Sequence, residues 1–511
     1  MSDCLRLLRI CLPPLALCAC TYVPFDAPRP EAKPVSSMAA SRSLARIEAA
    51  IDLPQGQSGF IPLTDGNDAL GARLSMIERA EGRIDLQSFL IKPDKAGSLV
   101  SLALMEAADR GVTVRLLFDD VFTKANDRQL ALLASHPGID VRLFNPLSRR
   151  SPTVVNYALD FGRVNRRMHN KAFVVDDGLA IVGGRNIADE YYQIDTESEF
   201  ADFDLFVVGP VVEEISDAFE TFWSDEWSVP IEALRREEPA IDVVAVEAGL
   251  QAQADTAAAG IYERAVGSAY LADVRAGRVP LQTGYAQVVT DTPVKLRETV
   301  ADGTRPLAET LMGQIAGAET QVTILTPYFV PEDWGADLLS GLPANGVRVR
   351  IVTNSLAATN HPYVHAGYMR HRKRLLAAGV ELYEIRADAP QALGDLPPES
   401  KARLTMHTKL AVIDDTPSVV TSFNFDPRSV KLNTEFGLFI ASRSIANGFL
   451  RGIDEDLPKY TYQLSLDPEG DILWTYANDG VTETYRDEPG ASASRKAIAG
   501  ITRLLPVEGQ L

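Results

Sequence analysis

Met168-His-Asn-Lys-Ala-Phe-Val-Val175 and Met406-His-Thr-Lys-Leu-Ala-Val-Ile413 carry one pattern twice within 511 residues. Each copy sets a histidine two residues before a lysine and runs into an aspartate: His169, Lys171 and Asp176, then His407, Lys409 and Asp414. Two small residues and an asparagine follow at matching distances, Gly183-Gly184 before Asn186 and Thr421-Ser422 before Asn424. A lone His-x-Lys says little, but agreement of two copies at five spaced positions points to a duplication. The apolar run after each lysine predicts a strand buried on both faces. Side chains two apart share a strand face, so each histidine stands beside its own lysine.

The repetition extends outward. Ahead of the first motif come a strand at 83–91, a helix with Leu99, Leu102, Ala103 and Ala107 on one face, Gly111, and a strand at 112–118. The same order returns as a strand at 321–326, a helix at 334–342, Gly346 and a strand at 347–353. The offset is 235 at the glycines and 238 at the histidines. This predicts an α/β protein of two duplicated lobes, each a mixed β-sheet flanked by helices, with the active site between them. Lobe one takes residues 46–228 and lobe two 285–460, opening with a strand at 285–289. Residues 229–284 are expected to form a helical insertion and connector, in which only 241–246 could pass as a strand. A proline-containing loop at 387–400 could border the cleft. The extension at 461–511 holds a plausible amphipathic helix at 492–505.

Each half offers an imidazole, an ammonium and an amide, a set suited to phosphate. Imidazole near neutral pH serves as nucleophile or as proton donor and acceptor, and lysines and asparagines can hold oxygens as charge builds. Arg166-Arg-Met-His-Asn-Lys171, Val182-Gly-Gly-Arg-Asn-Ile-Ala-Asp-Glu-Tyr191, Leu325-Thr-Pro-Tyr-Phe-Val-Pro331, Thr353-Asn-Ser-Leu-Ala-Ala358 and Ser422-Phe-Asn-Phe-Asp-Pro-Arg-Ser429 add to the pattern. In these motifs the chain resembles the phospholipase D superfamily, and within it the C-type bacterial cardiolipin synthases. The likeness spans roughly residue 45 to the end.

The resemblance implies phosphatidyl transfer between phospholipids through a phosphohistidine, with no metal and no cofactor. By analogy His169 is the nucleophile and His407 the acid/base. Asn186, Asn424 and Ser422 become candidates for binding substrate, Thr421-Ser422 offering hydroxyls that Gly183-Gly184 lacks. Glu435 could fix the tautomer of a catalytic histidine, with Asp204 as its lobe-one counterpart, although their spacings from the histidines are 28 and 35. Hydrolysis to phosphatidic acid is the alternative; a nuclease or a non-catalytic lipid-binding lipoprotein ranks below it. His361, His365 and His371 lack a carboxylate or cysteine at metal-binding spacing.

All four cysteines fall in the first 20 residues. Arg6 and Arg9 followed by an apolar stretch at 10–19 predict a secretory signal too short to span a bilayer. Leu17-Cys-Ala-Cys20 resembles a bacterial lipobox, making 1–19 the signal, Cys20 the lipidated residue and 20–45 a flexible tether. The expected place is a membrane-anchored lipoprotein facing the periplasm. A formal net charge of −19 disfavours nucleic acid as partner. Basic clusters at 149–171 and 370–374 are candidates for attracting anionic headgroups.

Overall fold

The computed structural model describes residues 21–29, 37–121, 127–194, 198–234, 243–299, 304–394 and 400–511. The signal segment and Cys20 lie outside them. Lobe one contributes β1 (Ser58–Leu63), β2 (Arg83–Ser88), β3 (Thr113–Asp119), β4 (Ile139–Phe144), β5 (Ala172–Val175), β6 (Leu179–Gly183), β7 (Ser198–Ala201), β8 (Asp204–Val208) and β9 (Ser228–Pro230). Lobe two contributes β10 (Gln282–Thr290), β11 (Gln321–Leu325), β12 (Arg348–Asn354), β13 (Glu381–Ile385), β14 (Arg403–Met406), β15 (Leu410–Ile413), β16 (Ser418–Thr421) and β17 (Phe436–Ala441). The chain then adds β18 (Thr461–Leu466), β19 (Ile472–Asn478) and β20 (Val481–Tyr485).

Eighteen of these strands form one continuous sheet. Lobe one runs β9-β4-β3-β2-β5-β6-β8-β1. Lobe two mirrors it as β10-β17-β16-β15-β11-β12-β13, extended by β18, β19 and β20. The lobes join edge to edge where β1 pairs antiparallel with β10, Ser58 opposite Gly284. β2-β3-β4 and β11-β12-β13 are parallel, as crossover connections require. Helix Lys95–Asp109 makes one such crossover, with the Asp94 side chain capping its first turn at Gly97 N and Gly111 leaving it at φ 94°.

β5 explains the uninterrupted apolar run. Phe173 and Val175 face the lobe-one core with Leu70, Ile84 and Leu104. Ala172 and Val174 face the other way, into a core shared with Leu410, Val420, Leu438 and Ile440 of lobe two. Both faces are dry, so no polar alternation survives.

Three local expectations change. The strand around the first motif begins only at Ala172, and around the second it breaks between Met406 and Leu410. Residues from Val243 onward form a helix, Val243–Ala257, rather than a strand at 241–246, and it packs Leu250 and Ala254 inward. Within the expected tether, residues 21–29 dock on lobe one: Val23 is buried, Phe25 stacks on Trp227 at 5.7 Å, and Arg29 donates to Asp225 O at 3.0 Å. Apolar residues at alternate positions give that segment something to bury, which a solvated linker lacks.

Candidate active site

The two motifs are held by each other's lobes. His169 N donates to Thr434 O at 2.9 Å, and His407 N donates to Ala201 O at 2.7 Å. Each histidine therefore leaves its own sheet, which is why the strands stop short of it. In lobe two the exchange becomes a small parallel ladder of β14 with β7, Met406 opposite Ala201; in lobe one it is a single bridge of Met168 to Thr434. A polar group at the end of the neighbouring parallel strand fixes each preceding methionine. Met168 N donates to Asp119 Oδ2 at 2.9 Å, and Met406 N to Asn354 Oδ1 at 2.8 Å.

The side chains cross as the backbone does. His169 Nδ1 lies 2.8 Å from Glu435 Oε2, and His407 Nδ1 lies 2.6 Å from Asp202 Oδ2. Each carboxylate comes from the opposite lobe. A neutral ring donating through Nδ1–H carries its lone pair on Nε2, away from the carboxylate; at His407 the Lys409 Nζ approaches that Nε2 at 3.3 Å. Lys171 Nζ donates to His169 O at 2.9 Å, and Lys409 Nζ to His407 O at 2.7 Å. Phe89 meets His169 edge-on, while Phe200 stacks on His407 and Tyr191 meets it edge-on. Both imidazoles and both ammoniums are buried.

Burial sets the charge states. It drives His169 down to about 4 and His407 down to about 3, so both rings are neutral near pH 7. Burial and the facing Lys409 bring Lys171 down to about 7; burial brings Lys409 down to about 8. Burial works against ionised Glu435 and Asp202, but His169 and His407 hold them below the ordinary carboxylate range. Each lysine acts electrostatically on the other lobe's histidine, so the four groups share one pocket. An anion placed between the ammoniums would relieve their repulsion.

Asp176 and Asp414, which the motif counts with the catalytic set while leaving a structural role equally open, stand outside this pocket at the opposite ends of β5 and β15 from the histidines. Both adopt positive φ, 52° and 50°, in tight turns. Asp176 accepts the backbone N–H of Glu81, Gly82 and Arg83 at 3.0, 2.7 and 2.9 Å, and Asp414 takes those of Glu319, Thr320 and Gln321. They clamp the chain entering β2 and β11.

The lobe-one partner of Glu435 is Asp202, not Asp204. Register equates Asp204 with Gly437, and its carboxylate is bound to Arg73 at 2.9 Å and Arg185 at 3.4 Å. Ser422 does not offer a free hydroxyl: its Oγ donates to Glu435, as does Ser429 Oγ at 2.7 Å, and Thr421 Oγ1 donates to Phe436 O. Gly184, at the position of Ser422, makes room for a carboxylate instead; a Cβ there would lie 2.2 Å from Asp202 Oδ1. Asn186 is buried and donates to Tyr191 OH at 2.8 Å. Asn424 is buried with its Oδ1 unpartnered, and of the two amides it is the one with an unspent acceptor.

The basic clusters are mostly neutralised from within. Arg149 pairs with Asp120 and Asp127, Arg163 with Asp160, and Arg167 with Asp119. Arg372, Lys373 and Arg374 pair with Glu384 and Glu488, Asp471, and Asp337. The three suspected histidines do not converge. His371 meets Glu508, and His361 lies against Tyr328. Among the described residues, His365, Glu384 and Glu488 approach closely enough to share a cation, but Arg372 bonds all three.

Sequence reasoning missed Asp202, Phe89, Phe200, Asp119 and Asn354. A signal for the first existed: Glu435-Phe436 recurs as Asp202-Phe203. It also missed Asp291 and Lys295. Asp291 Oδ2 accepts Glu435 N at 3.1 Å, and Lys295 joins Asp291 at 2.7 Å to Ser429 O at 2.9 Å.

A family model described as "Cardiolipin synthase, PLD-like domain" matches residues 74–223 and 311–457. Cardiolipin synthase C of Escherichia coli (strain K12) is 36% identical over 464 residues, covering 89% of this chain and 96% of that one. A cardiolipin synthase of Oceanobacillus iheyensis is 25% identical over 405 residues, 79% of this chain and 70% of that one. The crystal structure of phosphatidylserine synthase from Haemophilus influenzae Rd KW20 matches with a TM-score of 0.55 at 14% identity, covering 91% and 100%, a likeness of fold. Two such lobes around one paired-histidine pocket define a phospholipase D-like protein. The chain belongs to the cardiolipin synthase family of that class.

Proposed function

We propose that the chain is a membrane-associated phosphatidyltransferase that makes cardiolipin from phospholipids through a phosphohistidine. One observation carries the reading: two neutral imidazoles, each oriented through Nδ1 by the opposite lobe's carboxylate, share a buried pocket with two ammoniums. The names of the relatives at 36% and 25% identity agree with it.

His169 Nε2 attacks the phosphorus of one phospholipid, forming a P–N bond while the P–O bond to the leaving alcohol breaks. His407 delivers the proton that this alkoxide takes. Its ring is neutral in the empty site; the bound phosphodiester anion and Asp202 together favour its protonation. A hydroxyl of a second phospholipid then loses its proton to His407 and attacks the phosphohistidine, breaking the P–N bond. Lys171 and Lys409 stabilise the non-bridging oxygens, and the Nδ2 of Asn424 is the amide donor assigned to them. A formal net charge of −19 disfavours a nucleic-acid substrate.

Lipidation at Cys20 and a periplasmic position belong to the same proposal. Among the described residues, no helix is long and apolar enough to cross a membrane. Incubation of purified protein with labelled phosphatidylglycerol and phosphatidylethanolamine tests the reading: cardiolipin is expected, phosphatidic acid alone would assign hydrolysis, and no product would end both. His169→Ala and His407→Ala should each abolish product.

A further inference from the structure

Ten residues before His169 the chain does something unusual for a water-facing segment. Residues 151–159, Ser-Pro-Thr-Val-Val-Asn-Tyr-Ala-Leu, contain no charged side chain and form helix Thr153–Leu159, in which only Asn156 is buried. Val154 is 71% exposed, and Leu159 and Phe161 are also exposed. Asp160, the next acid, is tied to Arg163 at 2.7 Å. A helix that turns Val154, Ala158 and Leu159 outward gains nothing from them in water; it suits a lipid interface.

Asn165, just beyond the helix, ties it to the segment that carries Asn424. Arg428, four residues after Asn424, donates to Asn165 Oδ1 at 2.9 Å and to Asn165 O at 2.7 Å, and lies within electrostatic reach of Tyr157, Tyr363 and Asp426. Tyr363 is exposed on the lobe-two side. Asn165 Nδ2 in turn donates to Gln510 Oε1 at 3.0 Å. That chain segment begins with Leu504, 84% exposed, and Leu505, whose carbonyl is held by Arg370 at 2.6 Å.

The docked N-terminal segment arrives at the same place. Arg150, exposed and one residue before the uncharged run, lies over the Tyr22 ring at 4.2 Å. Tyr22 is two residues after Cys20 in the sequence. Against a chain of formal charge −19, this edge presents apolar side chains and an arginine, the combination that anionic lipid surfaces attract.

We propose that residues 151–161, with Tyr363, Leu504 and Leu505 opposite, form a lip that inserts into the lipid surface and seats the pocket mouth on it. The inference rests on the phospholipid reading of the site and adds the surface through which that substrate is reached. A lipid then passes from the bilayer to the histidines without crossing water.

The test reconstitutes the full chain into phosphatidylglycerol vesicles containing brominated phospholipid. Phe161→Trp should be quenched strongly. Tyr285→Trp, exposed along β10 five residues before the site-facing Thr290, should not be. Equal quenching of the two overturns the proposal, and this readout does not depend on catalysis. The triple variant Val154→Glu, Leu159→Glu, Phe161→Glu should lose turnover of vesicle lipid by roughly tenfold or more. Its turnover of a dispersed short-chain phosphatidylglycerol should stay within about twofold of the parent. Retained vesicle turnover, equal loss on both substrates, or a change of oligomeric state in its place would each reject the lip. If the parent makes no cardiolipin, the functional reading falls while the quenching result still decides the surface.

Discussion

The two half-sites do the same job with different parts. In the His169 half, a long acid, Glu435, is held by hydroxyls of Ser422 and Ser429 and braced through its backbone by Asp291. In the His407 half, a shorter acid, Asp202, comes close because Gly184 has no side chain, and Phe203 N donates to its other oxygen at 2.8 Å. Phe89 touches His169 by an edge, whereas Phe200 lies flat on His407. Duplication thus preserved the position of each charge and left free how it is supported. The constraint is electrostatic geometry around the paired rings, and several packings satisfy it.

The comparison breaks hardest at the carboxylates. Glu435→Gln and Asp202→Asn should each lower kcat by roughly 10²–10⁴-fold, because the ring loses the partner that fixes its tautomer and balances its charge. Steady-state kcat measures this, and loss in only one variant would show that only one histidine must cycle through its protonated form.

The supporting residues come next. Gly184→Ser should displace Asp202 and cost roughly 10²-fold in kcat. Ser422→Gly removes one of three donors to Glu435 and should cost less than about tenfold. Equal effects would mean the two supports are equivalent after all.

The lysines separate activity from stability. Lys171→Met should cut kcat/KM yet raise Tm, since removing a buried, repelled ammonium is worth about 1–3 kcal/mol to the empty protein. The sign follows from linkage: both folded lysine values, about 7 and about 8, lie below the unbound 10.5. Between those limits the unfolded chain holds more protons, so stability of the empty enzyme rises with pH across that window. Anion binding has the opposite sense, and kcat/KM should fall as pH rises through 7 to 8. A thermal melt series and a pH-rate profile check the two slopes.

Asp176→Asn should give the smallest change in activity. It should lower stability by about 1–3 kcal/mol through the three backbone donors it satisfies, with kcat unaltered. Loss of kcat without loss of stability would return Asp176 to the catalytic set.

Much of this protein was legible in one dimension. The duplicated His-x-Lys spacing, the paired Gly111 and Gly346, and apolar runs such as 172–175 are local patterns, and local patterns follow from periodicity and turn geometry. They determined two α/β lobes and the identity of the histidines and lysines. What they could not determine was which carboxylate meets which ring. Asp202 sits 205 residues from His407 and Glu435 sits 266 from His169. The sequence allows both Asp202 and Asp204, and only packing decides: Arg73 and Arg185 claim Asp204, while Gly184 admits Asp202. The burial that makes the rings neutral is likewise a property of the tertiary structure and is written in neither motif: Tyr191 and Phe200 reach His407 from the other lobe, and Phe89 reaches His169 from an earlier strand end of its own.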